Sequence, residues 1–190
     1  MAIAAQSPPV TPLEARRLLE ISSRRTSTGR RNRALVAILW RVGLRPGEAL
    51  SIGIDDVDVN AGTVSVGDRI AGLDALATQE ISAWAERREE LQLDPSGPLI
   101  STLRGKPLSQ AYVRELLPRL AEKAGLGMRV HAMGLRYACA AELSGEGVLT
   151  EVIETQLGIR SQSSVAQYLP HPDAAETVAA MRGRTLPVRA

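Results

Sequence analysis

Apolar residues recur at intervals of three and four along much of this chain, the spacing that puts one face of a helix into a core. Leu35, Ile38, Leu39 and Val42 form such a stripe and predict a helix over 29–42, ended by Gly43. Thr11 followed by Pro12 is a cap and a first-turn proline, so an earlier helix is expected to run through Glu14 to Ser22. Residues 23–28 read as a polar loop, and a short helix is expected over 46–51. Thr63-Val64-Ser65-Val66 alternates and is β-branched, which predicts a strand; Gly67-Asp68 turns the chain and 69–73 returns it. Ile81, Trp84, Ala85, Arg88 and Leu91 mark the faces of a helix over 78–91. Leu99-Ile100 reads as a brief strand before the turn Arg104-Gly105-Lys106. Further helices are expected from a Ser109 cap to about Gly125, over 134–145, 149–157, 163–169 and 173–181. The fold class is mainly α with a small antiparallel β-sheet.

Composition narrows the options. The 190 residues suffice for one substantial domain, and 44% apolar with 23% charged residues excludes a mainly disordered chain. The longest uncharged apolar stretch, 34–40, is too short to span a bilayer, so no membrane role is expected. One cysteine, Cys139, permits no internal disulfide, and two histidines, His131 and His171, argue against a multi-histidine metal centre. No cofactor and no metal are expected, and the setting expected is a reducing, cytoplasmic one. Net charge is only +2, but residues 1–50 hold nine Arg against three acids and the remainder holds fourteen basic against eighteen acidic residues. A local positive face is therefore compatible with the bland average, as is a solvated charged helix rim. Of 23 basic residues only Lys106 and Lys123 are lysine, which leaves few candidates for lysine chemistry.

Three separated segments carry the candidate chemistry. In Gly43-Leu44-Arg45-Pro46-Gly47-Glu48, Arg45 sits at a helix start, where free N–H groups and the helix dipole favour an anion, and Glu48 is three residues on, within reach of the guanidinium. An exposed arginine after a glycine cap would show the same local pattern. In Gly134-Leu135-Arg136, an arginine lies near the start of an Ala-rich helix, and Gly134 permits close approach. In the third, Leu157-Gly158 is followed eleven residues after Leu157 by Tyr168.

Taken together and in this order, the three segments resemble the tyrosine recombinases, or phage integrases, with Arg104-Gly105-Lys106-Pro107-Leu108-Ser109 matching a connecting segment of that family. The resemblance spans about residues 10–182. It implies a catalytic-like domain over 11–182, flanked by a flexible leader (1–10) and a tail (183–190), without the family's N-terminal core-binding domain. It implies Tyr168 as nucleophile on a backbone phosphate of double-stranded DNA, giving a 3′-phosphotyrosine without metal. Arg45 and Arg136 would clamp the phosphate, and Glu48 would orient the clamp. It also implies a second copy, or an active recombinase partner, docked through the helix expected over 173–181, and a nucleoid location when DNA is bound.

Proton transfer is where the sequence departs from the family. Met133 stands where the histidine of the family's His-x-x-Arg motif belongs, and Ile159 stands where histidine usually follows Leu-Gly. The turn Val66-Gly67-Asp68-Arg69 lacks the family's lysine. His131 and Arg69 are the possible substitutes, although arginine is a poor proton donor because its pKa exceeds about 12. The expectation is a DNA-binding family member whose strand cleavage and rejoining is weak or lost. An active or partner-assisted recombinase and a protein-interaction module on the same fold are the alternatives.

Overall fold

The computed structural model describes residues 10–159. The helices expected over 163–169 and 173–181, and Tyr168 itself, lie outside the described residues. Seven α-helices and one three-stranded sheet are found among them.

The first helix, α1 (Pro12–Glu20), starts at a reciprocal cap: the Thr11 hydroxyl accepts from Glu14 N at 3.3 Å and Glu14 Oε2 accepts from Thr11 N at 2.8 Å. The second, α2 (Ser27–Ala37), begins two residues before the sequence reading placed it, because Thr26, assigned to the loop, caps it by accepting from Gly29 N at 3.1 Å. It does not continue as α-helix to Val42. Residues Ile38–Val42 form a π turn, a wider helical turn characteristic of functional sites. There Trp40 Nε1 and Arg41 Nη1 both donate to the Glu142 carboxylate, each at 2.5 Å, and Arg41 Nε donates to Asp74. Every residue from Arg31 to Trp40 is buried, so this segment is the axis of the core.

The helix α3 (Pro46–Ser51) has the expected bounds. After it come β1 (Val57–Asp58), β2 (Thr63–Val66) and β3 (Arg69–Gly72), antiparallel in the order β1-β2-β3. The hairpin is the expected one, with Val66 opposite Arg69 across Gly67-Asp68. The two-residue β1 has no alternating pattern long enough to read from sequence; the Asp58 carboxylate closes its turn by accepting from Asn60 N and Ala61 N. Helix α4 (Ala75–Glu90) starts three residues before its expected position, capped by Asp74.

Leu99 and Ile100 are buried but form no strand; only single bridges, Gly53 with Pro98 and Ser101 with Pro107, lie beside them. Side chains hold this segment instead. Trp84 Nε1 donates to Leu99 O, and the buried Arg88 donates to Pro98 O, Asp94 O and Ser101 Oγ. The remaining helices are α5 (Gln110–Lys123), capped by Ser109 as expected, α6 (Ala132–Gly145) and α7 (Thr150–Leu157). Helix α6 begins two residues before its expected start, with His131 at the cap position. Gln156 of α7 bonds both backbone groups of Gly72 and the carbonyl of Val42, which ties the sheet edge to the π turn.

Part of the positive charge of the first fifty residues is internal: Arg31 and Arg33 are buried and Arg41 is partly so. Arg33 is 4% exposed and grips Glu80 through two nitrogens, at 2.6 and 2.7 Å, while donating to Leu19 O and Ser22 O. Arg24 adds a second cation to Glu80 at 2.8 Å. Arg31 is buried against Tyr112, and Arg41 is held by Asp74 and Glu142. Removing one member of a buried pair strands the other charge.

Burial alone would push the Glu80 carboxyl up, but the hydrogen bonds and charges of Arg33 and Arg24 outweigh it and hold it below its usual range. A lowered folded-state value means that the stabilisation is complete above the unfolded carboxylate value of about 4.3 and is lost as pH falls through the lower folded value. Glu80→Gln is expected to cost about 3 kcal/mol at neutral pH. Urea midpoints between about pH 3 and pH 7 are expected to show the difference between mutant and parent shrinking toward the acid end.

Candidate active site

The segment Gly43-Leu44-Arg45 leaves the π turn and enters α3. Gly43 has φ 73°, the left-handed region. A Cβ there would lie 2.4 Å from Leu157 Cδ2 and 3.0 Å from Cys139 Sγ, so only glycine lets this strand of backbone lie against α6 and α7. Leu44 is fully buried beside it. Arg45 follows, exposed, at the N-cap of α3. Its backbone N–H donates to Glu48 Oε2 at 2.8 Å, and its guanidinium lies 3.6 Å from Glu48 Oε1.

Glu48 also receives Arg69. Arg69 Nη1 donates to Glu48 Oε1 at 3.0 Å across the mouth of the β2–β3 hairpin. Burial pushes the Glu48 carboxyl up, but the Arg69 hydrogen bond, the Arg45 N–H and both positive charges outweigh it, so the group lies below its ordinary range and is ionised at neutral pH. The Arg69 guanidinium packs on Gly158, the left-handed C-cap of α7 at φ 62°: a Cβ there would lie 2.7 Å from Arg69 Cζ. Gly158 is thus required both for its backbone conformation and for the space Arg69 occupies.

These residues line one cleft of about 780 Å³, walled by Arg45, Glu48, Arg69, Glu154, Gly158 and Ile159. Arg136 lies beneath it. The side chain is fully buried, with Nη1 donating to Gly43 O at 2.5 Å and Nη2 to Leu157 O at 2.7 Å. It therefore fastens the chain two residues before Arg45 to the chain one residue before Gly158. Arg45 lies on the cleft surface, and the buried Arg136 bonds the carbonyl of Gly43, two residues before Arg45.

The other named positions separate. Ile159 lines the cleft, whereas His131 and Met133 line a second pocket of about 230 Å³ between α5 and α6, which Pro46 also borders. Glu154 was not singled out by the sequence, where nothing distinguishes it from Glu151 on the same helix; only the packing of α7 turns it inward. Burial pushes the Cys139 thiol up to about 12, which removes it as a nucleophile. Among the described residues, no group of three or more His, Cys, Asp or Glu is arranged to hold a metal ion.

The Phage integrase family model matches residues 9–175 of this sequence. The chain belongs to that family. As a tyrosine recombinase catalytic domain, it is 32% identical over 149 residues to tyrosine recombinase XerC of Halalkalibacterium halodurans, covering 73% of this chain and 49% of that protein. It is 29% identical to XerC of Bacillus subtilis, covering 82% of this chain and 54% of that one. The chain thus spans about half the length of these XerC relatives. The crystal structure of XerA recombinase shares its fold, with a TM-score of 0.81 at 22% identity over 98% of this chain and 67% of that one. The XerH site-specific recombinase bound to difH substrate superposes with a TM-score of 0.75 at 25% identity, covering 95% of this chain and 55% of XerH. No helix among the described residues is long and apolar enough to cross a membrane.

The buried clasp makes a stability prediction. Arg136→Met removes two charge-assisted bonds and leaves two buried carbonyls without donors, so a loss of about 3 kcal/mol is expected in urea denaturation. An unchanged midpoint would show that the clasp carries no weight.

Proposed function

We propose that this integrase-family domain binds double-stranded DNA by its phosphates and that cleavage through Tyr168 is weak or lost. The observation that carries this reading is the composition of the cleft among the described residues: Arg45 and Arg69 face it with Ile159, and the other ionisable groups of that described lining are carboxylates. Two arginines stabilise negative charge on phosphate oxygens. They do not move protons near neutral pH, because their pKa values exceed about 12.

Cleavage by Tyr168 forms a bond from its phenolic oxygen to phosphorus and breaks the bond to the 5′ oxygen. The phenol, with an ordinary pKa of about 10, must lose a proton, and the departing oxygen must gain one. Each missing acid or base costs about 10²–10⁴-fold. Ile159 offers no proton, and Met133 opens to the second pocket. In this reading Arg136 is engaged through its two Nη groups with Gly43 O and Leu157 O. Its resting role is to hold the cleft in shape.

A nicked duplex that traps the covalent adduct tests the proposal. The full chain is expected to form adduct at least about 100-fold more slowly than a family enzyme that has both histidines, with the residue of activity abolished by Tyr168→Phe. Ile159→His, which puts an imidazole into the cleft, is expected to raise the rate by about tenfold or more. Duplex binding is expected to weaken steeply with salt and to weaken further in Arg45→Ala. Adduct at the rate of the family enzyme would establish an active recombinase instead. Absence of duplex binding at low salt would favour a protein-interaction role.

A further inference from the structure

Three buried polar atoms of the cleft have no hydrogen-bond partner: Arg69 Nε, Arg69 Nη2 and Glu154 Oε1. Such groups are rare in folded proteins, because each forfeits its hydration without replacement. The two nitrogens are neighbours on one edge of the guanidinium, and their N–H bonds form the fork that meets two oxygens of a carboxylate or phosphate side by side. Arg69 is also fixed in place, since its third nitrogen is held by Glu48 and its plane rests on Gly158. A guanidinium anchored at one nitrogen with its opposite edge unpaired is preorganised for an oxyanion.

The unpaired edge and the unpaired carboxylate oxygen do not answer each other, because among the described residues the ion pair of Arg69 is with Glu48 and Glu154 forms none. Glu154 and Asp68, both on the wall, oppose an anion in the cleft. Glu48 already shares its charge with the two arginines.

We infer that the Nε–Nη2 edge of Arg69 grips the non-bridging oxygens of a DNA phosphate in this cleft, beside Arg45, and that Glu154 is a standing counter-charge that limits how tightly that phosphate is held. This deepens the DNA-binding reading above and rests on it. Arg69 here is a phosphate ligand. It carries charge and geometry to the site without supplying a proton, consistent with a domain that holds DNA better than it cuts it.

The test is fluorescence anisotropy of a labelled 30-base-pair random-sequence duplex against the full chain over a salt series. Arg69→Gln is expected to weaken binding about tenfold at low salt and to reduce the slope of log affinity against log salt by about one. Arg69→Lys keeps the charge but not the fork, so the slope is retained and part of the affinity is lost. Glu154→Gln is expected to tighten binding by about threefold or more, because a like charge next to the phosphate is removed. A role confined to structure would shift thermal midpoints and leave the salt slopes alone. If Arg45→Gln lowers the slope while Arg69→Gln does not, the inference fails and the DNA reading stands. If the parent chain does not bind duplex at low salt, both fail. Should Arg69→Gln not fold, Glu154→Gln decides: unchanged or weaker binding overturns the inference.

Discussion

The cleft depends on one buried guanidinium. Arg136 reaches from α6 to two backbone carbonyls that are otherwise unrelated, one at the start of the Arg45 segment and one at the end of α7. Each carbonyl lies at a place where a helix has just ended and regular bonding is exhausted. A cation with several fixed donors is the economical way to satisfy both at once. Gly43 and Gly158 complete the arrangement, since each adopts a left-handed turn that lets a neighbouring side chain come within contact distance. Site geometry and fold stability are therefore the same interaction seen from two sides.

The same economy runs through the molecule. This sequence is rich in arginine and nearly without lysine, and arginine is what the interior uses. Arg33 with Glu80 joins α2 to α4, Arg41 joins the π turn to α4 and α6, and Arg88 holds the segment between α4 and α5. A fork of donors suits this work because it bonds carboxylates and carbonyls in several directions from one charge. The buried Arg31 and Arg33 consequently add little to the surface field of the N-terminal half. Among the described residues, the positive charge that faces the candidate site comes from Arg45 and Arg69, beside the carboxylates of Glu48, Asp68 and Glu154.

That balance bears on chemistry. A site that holds phosphate needs fixed positive charge, while a site that cuts it also needs groups that exchange protons near neutral pH. Among the described residues, Arg45 and Arg69 supply the fixed positive charge of the cleft, and Ile159 forms part of its wall. His131 stands at the cap of α6 and, with Met133, lines the pocket beside α5.

Sequence alone was enough for the helical periodicity, the capped start of α1, the bounds of α3, the β2–β3 hairpin and the order of the arginine segments. Each of these is written in neighbouring residues, through turn chemistry, caps and apolar spacing. The family resemblance rested on such local runs, and the family match extends across them. The π turn, the two-residue β1 and the side-chain-held segment at Leu99 were illegible, because their stability comes from partners distant along the chain. The same reason separates the site residues. Sequence named Arg45, Arg69 and Arg136 but could not say that one would be exposed, one half-freed and one fully buried. It gave no sign of Glu154 at all. Burial and pairing are properties of packed helices, and only the tertiary structure assigns them.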